Sequence, residues 1–499
     1  MPVWGLSGNV LALGAGVVVG GLLIGGVLPA LVDEEGRPKM DNVVAGDQPL
    51  AGPATGDSRS SVQRASEAEP TGTSGSGGAP VGSSTGGRTA VTTAGRGQTA
   101  SPAVSGASGP ITVGVLLIDL GNVGRVGFGA PGLNPREQEA WYNIFFKEIN
   151  DTGGIGGRPV TGVYAPYDPL SADSQRAACL ALTEDRKAFA VLENTAGYRG
   201  PNVLCFTEEH GTPFISTFHR HNREEMRKSG DLLFGYGMSA ERNLASAAHV
   251  FHGMGTLKGK KIGIIESSKG GDSETTDFGL VRTLDSLGYK ITKRFVFSEN
   301  LDTASSQVPV AVQQMSAAGV DALFMNVNVV VGTQFASAAE GQLYRPQYLT
   351  HEWNGVGTDF GAKNMPPSFN GALAVVSERD GEFNVPGRNE PAPDRNCREH
   401  VKRVTGEDYP LNSDQNAVIV QTCAVVRLYA AAARAAGPNG DRKAFTDAMQ
   451  RLGPVDPPRV GPGFFQPGRF DAATHVRTKR WDNGCKCWKI VRDFEPARV

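Results

Sequence analysis

From Ile111 onward, apolar runs of strand length alternate with stretches of helical period, and this alternation constrains the fold more than any other feature of the chain. A strand buried on both faces reads as a near-continuous apolar run, and "ITVGVLLI" opens the series that way. Asn134 and Pro135 then supply a helix cap and a first helical residue, with Trp141, Ile144, Phe145 and Ile149 on one face. The joint "KEINDTGGIGGRPV" follows. Gly153 and Gly154 permit the left-handed backbone that ends a helix, Ile155 plugs the layer beneath, and Gly156 and Gly157 turn the chain into "RPVTGVYAPYD". These glycines are expected to be structural, and they do not cradle phosphate.

The alternation continues through a helix near 172–183, the strand "AFAVLEN", a helix near 201–210, "PFIST" and "DLLFGYGM". A second series at 239–364 carries "KIGIIE", "YKITKRFVF", "DALFMNV" and "PQYLT" as strands, with helices between them. "GALAVVSE" is expected as a return strand, followed by helices near 395–404, 412–436 and 442–452 and by strand-like "FFQPGRFD", "THVRTKRW" and "KCWKIV". Two α/β units joined by more than one strand crossing imply two lobes around a cleft.

The chain before Ile111 is different in kind. Met1–Val32 has no charged side chain, and its apolar stretch from Asn9 can cross a hydrocarbon core of about 30 Å as a helix. It exceeds the usual apolar core of a signal peptide and lacks preceding basic residues, so an uncleaved anchor is favoured over a cleaved signal. Residues 33–110 are rich in Ser, Thr, Gly, Pro and Ala, offer little to bury, and are expected to be a disordered linker. Arg37 and Lys39 after the span would place the linker inside by the positive-inside rule, but the cysteines and the stalk-like linker argue for an extracytoplasmic domain. No cysteine follows the span to carry a lipid.

The formal net charge of −2 lends no support to nucleic-acid binding, and no basic stripe with interleaved aromatics occurs. "GFGAPG" fits G-x-G-x-x-G in letters only, because it trails its strand and contains Pro131. No zinc, Walker A or nucleophile-elbow pattern is present, so no enzyme, cofactor or metal is expected. The six cysteines admit 15 pairings. Right-handed crossovers place the helices of Cys179 and Cys205 side by side on one sheet face, making that pair the first choice. Cys397 and Cys423 sit on consecutive helices and can pair likewise, and a bridge between Cys485 and Cys487 is expected to be strained.

The order of strand, helix ending "INDTGGIGGRPV", extended "YAPYDPLSAD" and helix "SQRAACLAL", with "KKIGIIESS", "DALFMNV", "GRFD" and "CKCW" later, resembles the type I periplasmic solute-binding proteins. Within that group it is similar to the branched-chain amino-acid (Leu/Ile/Val) and amide-binding receptors of ABC transporters. The resemblance spans about 111–492 and implies two doubly wound Rossmann-like lobes joined by three crossover strands. Together with the composition of the chain before it, this divides the sequence into an anchor or signal segment at 1–32, a linker at 33–110, lobe 1 at 111–237, lobe 2 at 238–371, the return helices of lobe 1 at 372–460, and the third crossing with C-terminal strands at 461–499. It also implies an extracytoplasmic receptor that takes a small polar or amino-acid-like molecule in the cleft and delivers it to an ABC permease. A sensory module of the same fold is the alternative.

In open α/β sheets the ligand sits off the carboxyl ends of strands, so the loops there carry the candidates. By resemblance, Thr195, Ala196, Gly197 and Tyr198 stand where the family holds a ligand carboxylate, although no serine stands among them. Phe218, His219 and Arg220 match ligand-touching positions, and Phe128 lies in a loop that closes over the ligand in relatives. In the second lobe Asn328, Glu352 and Trp353 lie at strand ends, Glu352 at the family's acid for a ligand ammonium. Tyr236, in a crossing strand, is a weaker candidate. With the usual serine and an aromatic in "SSKGGDS" both missing, the ligand need not be a branched-chain amino acid.

Overall fold

A computed structural model of the chain describes residues 109–126, 133–195, 198–218, 221–268, 271–353, 355–384 and 386–499. The expected anchor and almost all of the expected linker lie outside the described residues.

The first sheet is five-stranded and parallel, in the order β2-β1-β3-β4-β5. Its strands are β1 (Ile111–Ile118), β2 (Val160–Tyr167), β3 (Val191–Glu193), β4 (Phe214–Ser216) and β5 (Leu233–Gly235). The helix Pro135–Asp151 begins as its sequence requires, since the Asn134 side chain accepts the Glu137 N–H at 3.0 Å. Gly153, Gly154, Gly156 and Gly157 all have positive φ, and Ile155 is buried between them. A Cβ at Gly154 would stand 2.1 Å from the Arg158 carbonyl oxygen, and one at Gly156 would stand 2.2 Å from Pro438. Glycine is required here both by backbone conformation and by close approach.

The second sheet is seven-stranded, in the order β14-β13-β10-β9-β8-β6-β7. It contains β6 (Ile262–Ser267), β7 (Ile291–Phe297), β8 (Ala322–Asn326), β9 (Gln347–His351), β10 (Leu373–Val376), β13 (His475–Asp482) and β14 (Cys487–Pro496). A short pair, β11 (Gly453–Val455) and β12 (Gly463–Phe465), stands apart. β6 to β10 run parallel, and β13 joins β10 antiparallel. Alternate residues feed two cores: Ile264, Phe324, Leu349 and Val375 face one, and Ile265, Met325, Tyr348 and Val376 the other. The period-2 pleat explains why these strands read as continuous apolar runs.

"GALAVVSE" differs from expectation. β10 stays in the second sheet beside β9, and the chain returns to the first lobe only after it. A short apolar strand looks the same in either sheet, and only pairing decides which it joins. The helices Ala392–Thr405 and Asp414–Ala436 then pack on the first lobe, the latter against the helix Pro135–Asp151, β3 and β4. Asp414–Ala436 is long and apolar enough to cross a membrane, but most of it is buried in this core.

Three crossings connect the lobes and bond to one another. Gly235 and Tyr236 of the first pair with 470–473 of the third, through Gly235 N–H to Phe470 O (3.1 Å) and Ala473 N–H to Tyr236 O (2.8 Å). The second pairs with the third through Arg379 N–H to Arg459 O and Gly461 N–H to Ser377 O, both 2.8 Å. Arg477 on β13, wholly buried, donates to the Glu378 and Asp380 carbonyls and to the Glu382 carboxylate, strapping the second crossing in place. Disulfides join Cys179 to Cys205, Cys397 to Cys423 and Cys485 to Cys487. The first two pairings match expectation, and the third closes a bridge that sequence marked as strained.

Candidate functional site

The order of the first sheet reverses between β1 and β3, the place where open α/β sheets bind ligands. A cavity of about 180 Å³ lies there. Its first-lobe wall is Ile118 at the end of β1, Leu120, Leu133, Thr195 after β3, Phe218 after β4, and the start of the helix Asp414–Ala436 with Leu411 and Ser413 before it. Its second-lobe wall is Thr358, Asp359 and Phe360. Glu378, Asp380 and Phe383 of the second crossing and Arg459 of the third close it on the hinge side. Aliphatic and aromatic groups thus enclose a floor of charge.

That floor is ordered. Asp359 accepts the Trp488 N–H at 2.7 Å on one oxygen and Asn384 Nδ2 at 2.9 Å on the other. Asp380 accepts the Asp359 N–H at 2.7 Å and Arg459 Nη2 at 2.8 Å, and Lys479 Nζ stands 3.6 Å away. Burial, and then the Asp380 charge, raise the Asp359 carboxyl to about 6. Burial also acts to raise Asp380, but Lys479 and Arg459 outweigh it and hold that carboxyl below its ordinary range. Of two neighbouring carboxyls, Asp359 therefore keeps a proton more readily. Burial pushes the Lys479 ammonium down, with Asp380 and Asp359 opposing.

Next to the cavity the lobes touch. Arg199, in the loop after β3, has its guanidinium 5.4 Å from the Trp353 ring centroid and 4.0 Å from the Asp272 carboxylate, both in the second lobe. Lys363 of the second lobe reaches Asp414 of the first at 3.6 Å.

Of the sequence candidates, Thr195 and Phe218 line the cavity. Trp353 stacks on His351 at 5.9 Å and meets Arg199 across the cleft. Glu352 is buried, and its oxygens accept the Ser377 hydroxyl (2.6 Å) and N–H (2.5 Å), bracing the start of the second crossing. Tyr198 does not reach the cavity: its ring packs in the first-lobe core against Tyr167, Phe206 and Phe214, and its hydroxyl donates to the Gln175 carbonyl. Asn328 does not either, because its Oδ1 caps the helix Val329–Gly341 by accepting the Val330 and Val331 N–H groups. Tyr236 is buried beside Phe465 in the crossings. Phe128, Ala196, Gly197, His219 and Arg220 lie outside the described residues.

Sequence reasoning missed Asp359, Asp380, Phe360, Phe383 and Arg459. "ERDGEF" and "PPRVG" carry their charge between β10 and the helices that follow and between β11 and β12, and that placement is the signal available in sequence.

Residues 111–485 match the family model for periplasmic binding proteins. The chain belongs to that family. No curated protein matches it in sequence. A solute-binding protein of an ABC transporter from Rhodopseudomonas palustris BisB5, in complex with 3,4-dihydroxybenzoic acid, is 13% identical with a TM-score of 0.57, over 78% of this chain and 98% of that one. A leucine-binding protein from Thermotoga maritima is 14% identical with a TM-score of 0.56, over 77% and 97%. A fatty-acid ABC transporter substrate-binding protein from Thermomonospora curvata is 15% identical, TM-score 0.56, over 79% and 94%. At such identities the likeness establishes the type I periplasmic binding fold with its two α/β lobes. As a periplasmic binding protein the chain is a solute-binding protein and not an enzyme, and its binding domain is extracytoplasmic.

Proposed function

We propose that this binding protein captures a small solute with an apolar or aromatic body between its lobes and delivers it to an ABC permease. The observation that carries the reading is the cavity of about 180 Å³ at the strand-order reversal, walled by both lobes and closed by the crossings. A solute there touches Phe218 of one lobe and Phe360 of the other. Only a ligand that interacts differently with open and closed states can shift their balance, and contact with both lobes supplies that difference. The solutes named for structural relatives, leucine, 3,4-dihydroxybenzoic acid and a fatty acid, all pair an apolar body with a polar head, a form this cavity also suits.

On this reading Thr195 and Phe218 form the first-lobe contact, Trp353 and Arg199 close the outer edge, and Glu352 braces the crossing. A thermal-shift screen of the full-length protein with amino acids, amides, amines and aromatic acids, followed by small-angle scattering with each hit, tests it. The reading requires at least one hit that raises the melting temperature and contracts the particle. Hits without contraction would remove the two-lobe clamp.

A further inference from the structure

Resting on that reading of the cavity, we propose that the captured solute is an organic cation, a small amine with a flat apolar body, seated with its ammonium toward Asp359 and its body between Phe218 and Phe360.

Among the described residues, the charge lining the cavity is one-sided. Asp359, Glu378, Asp380 and Asp414 line it as acids, with Arg459 as the cation. Arg459 already donates to Asp380, and Lys363 already reaches Asp414. Asp359 is held by neutral donors alone, a backbone N–H and an asparagine amide, and each oxygen keeps room for a second hydrogen bond. Among the described residues no cation lies within ion-pair distance of it. Lys479 acts on this half-buried carboxylate only from beyond ion-pair distance, and an ammonium from the solute is the group that supplies a direct partner.

The first-lobe wall points the same way. Thr195 turns its N–H (3.2 Å) and its hydroxyl (2.8 Å) onto buried Glu193, which also accepts from Ser216 at 3.0 Å. Among the described residues of this loop, these donors are turned onto a protein carboxylate and not toward the solute.

The proton balance gives a second, independent readout. Asp359 faces Asp380 and Glu378 on the second crossing, Arg459 on the third, Lys479 on β13, Asn384 and the Trp488 amide. Its carboxyl is raised to about 6, so at pH 6 a cation that favours the ionised form displaces a proton. An anion would draw one in.

The experiment is calorimetric titration of the full-length protein with phenethylamine, tyramine and isoamylamine, and with 4-hydroxybenzoate, 4-methylpentanoate and leucine. Each is run at pH 6 in two buffers of different ionisation enthalpy. The expected result is amine binding at least tenfold tighter than that of the carboxylate of like shape, with net proton release. Asp359→Asn lowers amine affinity tenfold or more and abolishes the release. Should that variant misfold, the proton count on the unaltered protein still decides. Equal or tighter binding of the carboxylates, or proton uptake with amines, overturns the inference and leaves the receptor standing. Silence from every amine also overturns it, and the receptor falls only if the leucine and carboxylate arms are silent too.

Discussion

Arg199→Ala tests the clamp most directly, because one side chain of the first lobe touches two groups of the second. Its guanidinium lies 5.4 Å from the Trp353 ring centroid, and such contacts contribute about 0.5–2 kcal/mol depending on how dry they are. The Asp272 carboxylate at 4.0 Å adds about 0.2–1 kcal/mol, as a loose and partly exposed pair should. Removing both shifts the balance between closed and open forms by about 1–2 kcal/mol, or roughly 5- to 30-fold. On the proposed clamp the closed form is the binding-competent one, so apparent affinity falls in proportion to its population, by up to the same factor. Two assays separate a clamp from a direct ligand contact. Scattering of the ligand-free protein should give a larger radius of gyration for the variant. A double-mutant cycle with Trp353→Leu should give strongly non-additive losses. Unchanged ligand-free scattering with additive losses would refute the reasoning, since Arg199 would then carry no lobe-to-lobe contact.

The remaining predictions concern stability. The bridges Cys179–Cys205 and Cys397–Cys423 each close 26 residues, so replacing either pair by alanine should cost about 3.5 kcal/mol, against about 1 kcal/mol for Cys485 and Cys487 at a separation of 2. Denaturant midpoints read this, and a loss at Cys485–Cys487 equal to the other two would contradict the loop-entropy account. Burial raises the Asp394 carboxyl to about 6, with Arg459 opposing, so the native state holds the extra proton between about pH 4 and 6 and its stability falls as pH rises through that window. Asp394→Asn should flatten that slope by up to about 3 kcal/mol, and an unchanged stability profile across the window would show that Asp394 does not carry it. Gly156→Ala and Gly154→Ala meet backbone or ring atoms at 2.2 and 2.1 Å and should lower the melting temperature well beyond Gly153→Ala, where a Cβ meets nothing within 4 Å. Equal losses at the three sites would mean that positive φ alone sets the cost.

Local chemistry determined much of this protein. Apolar runs marked the strands and the 3.6-residue period marked Pro135–Asp151. Asn134 marked that helix's start, and Gly153 to Gly157 marked the turn back to the sheet. The handedness of crossovers was enough to pair Cys179 with Cys205. These signals survive in sequence because each depends on neighbours a few residues away or on a general rule of chain geometry. Sequence order alone could not say which sheet β10 joins, because its pairing partners on β9 and β13 come from 24 residues before it and about a hundred after it. The charged floor was hidden for the same reason. Asp359, Asp380, Arg459 and Lys479 come from a helix start, two crossings and a late strand, and each looks like an ordinary surface charge until the three crossings bond together. Burial, which turns those charges into a site, is a property of the closed fold and not of any segment of the chain.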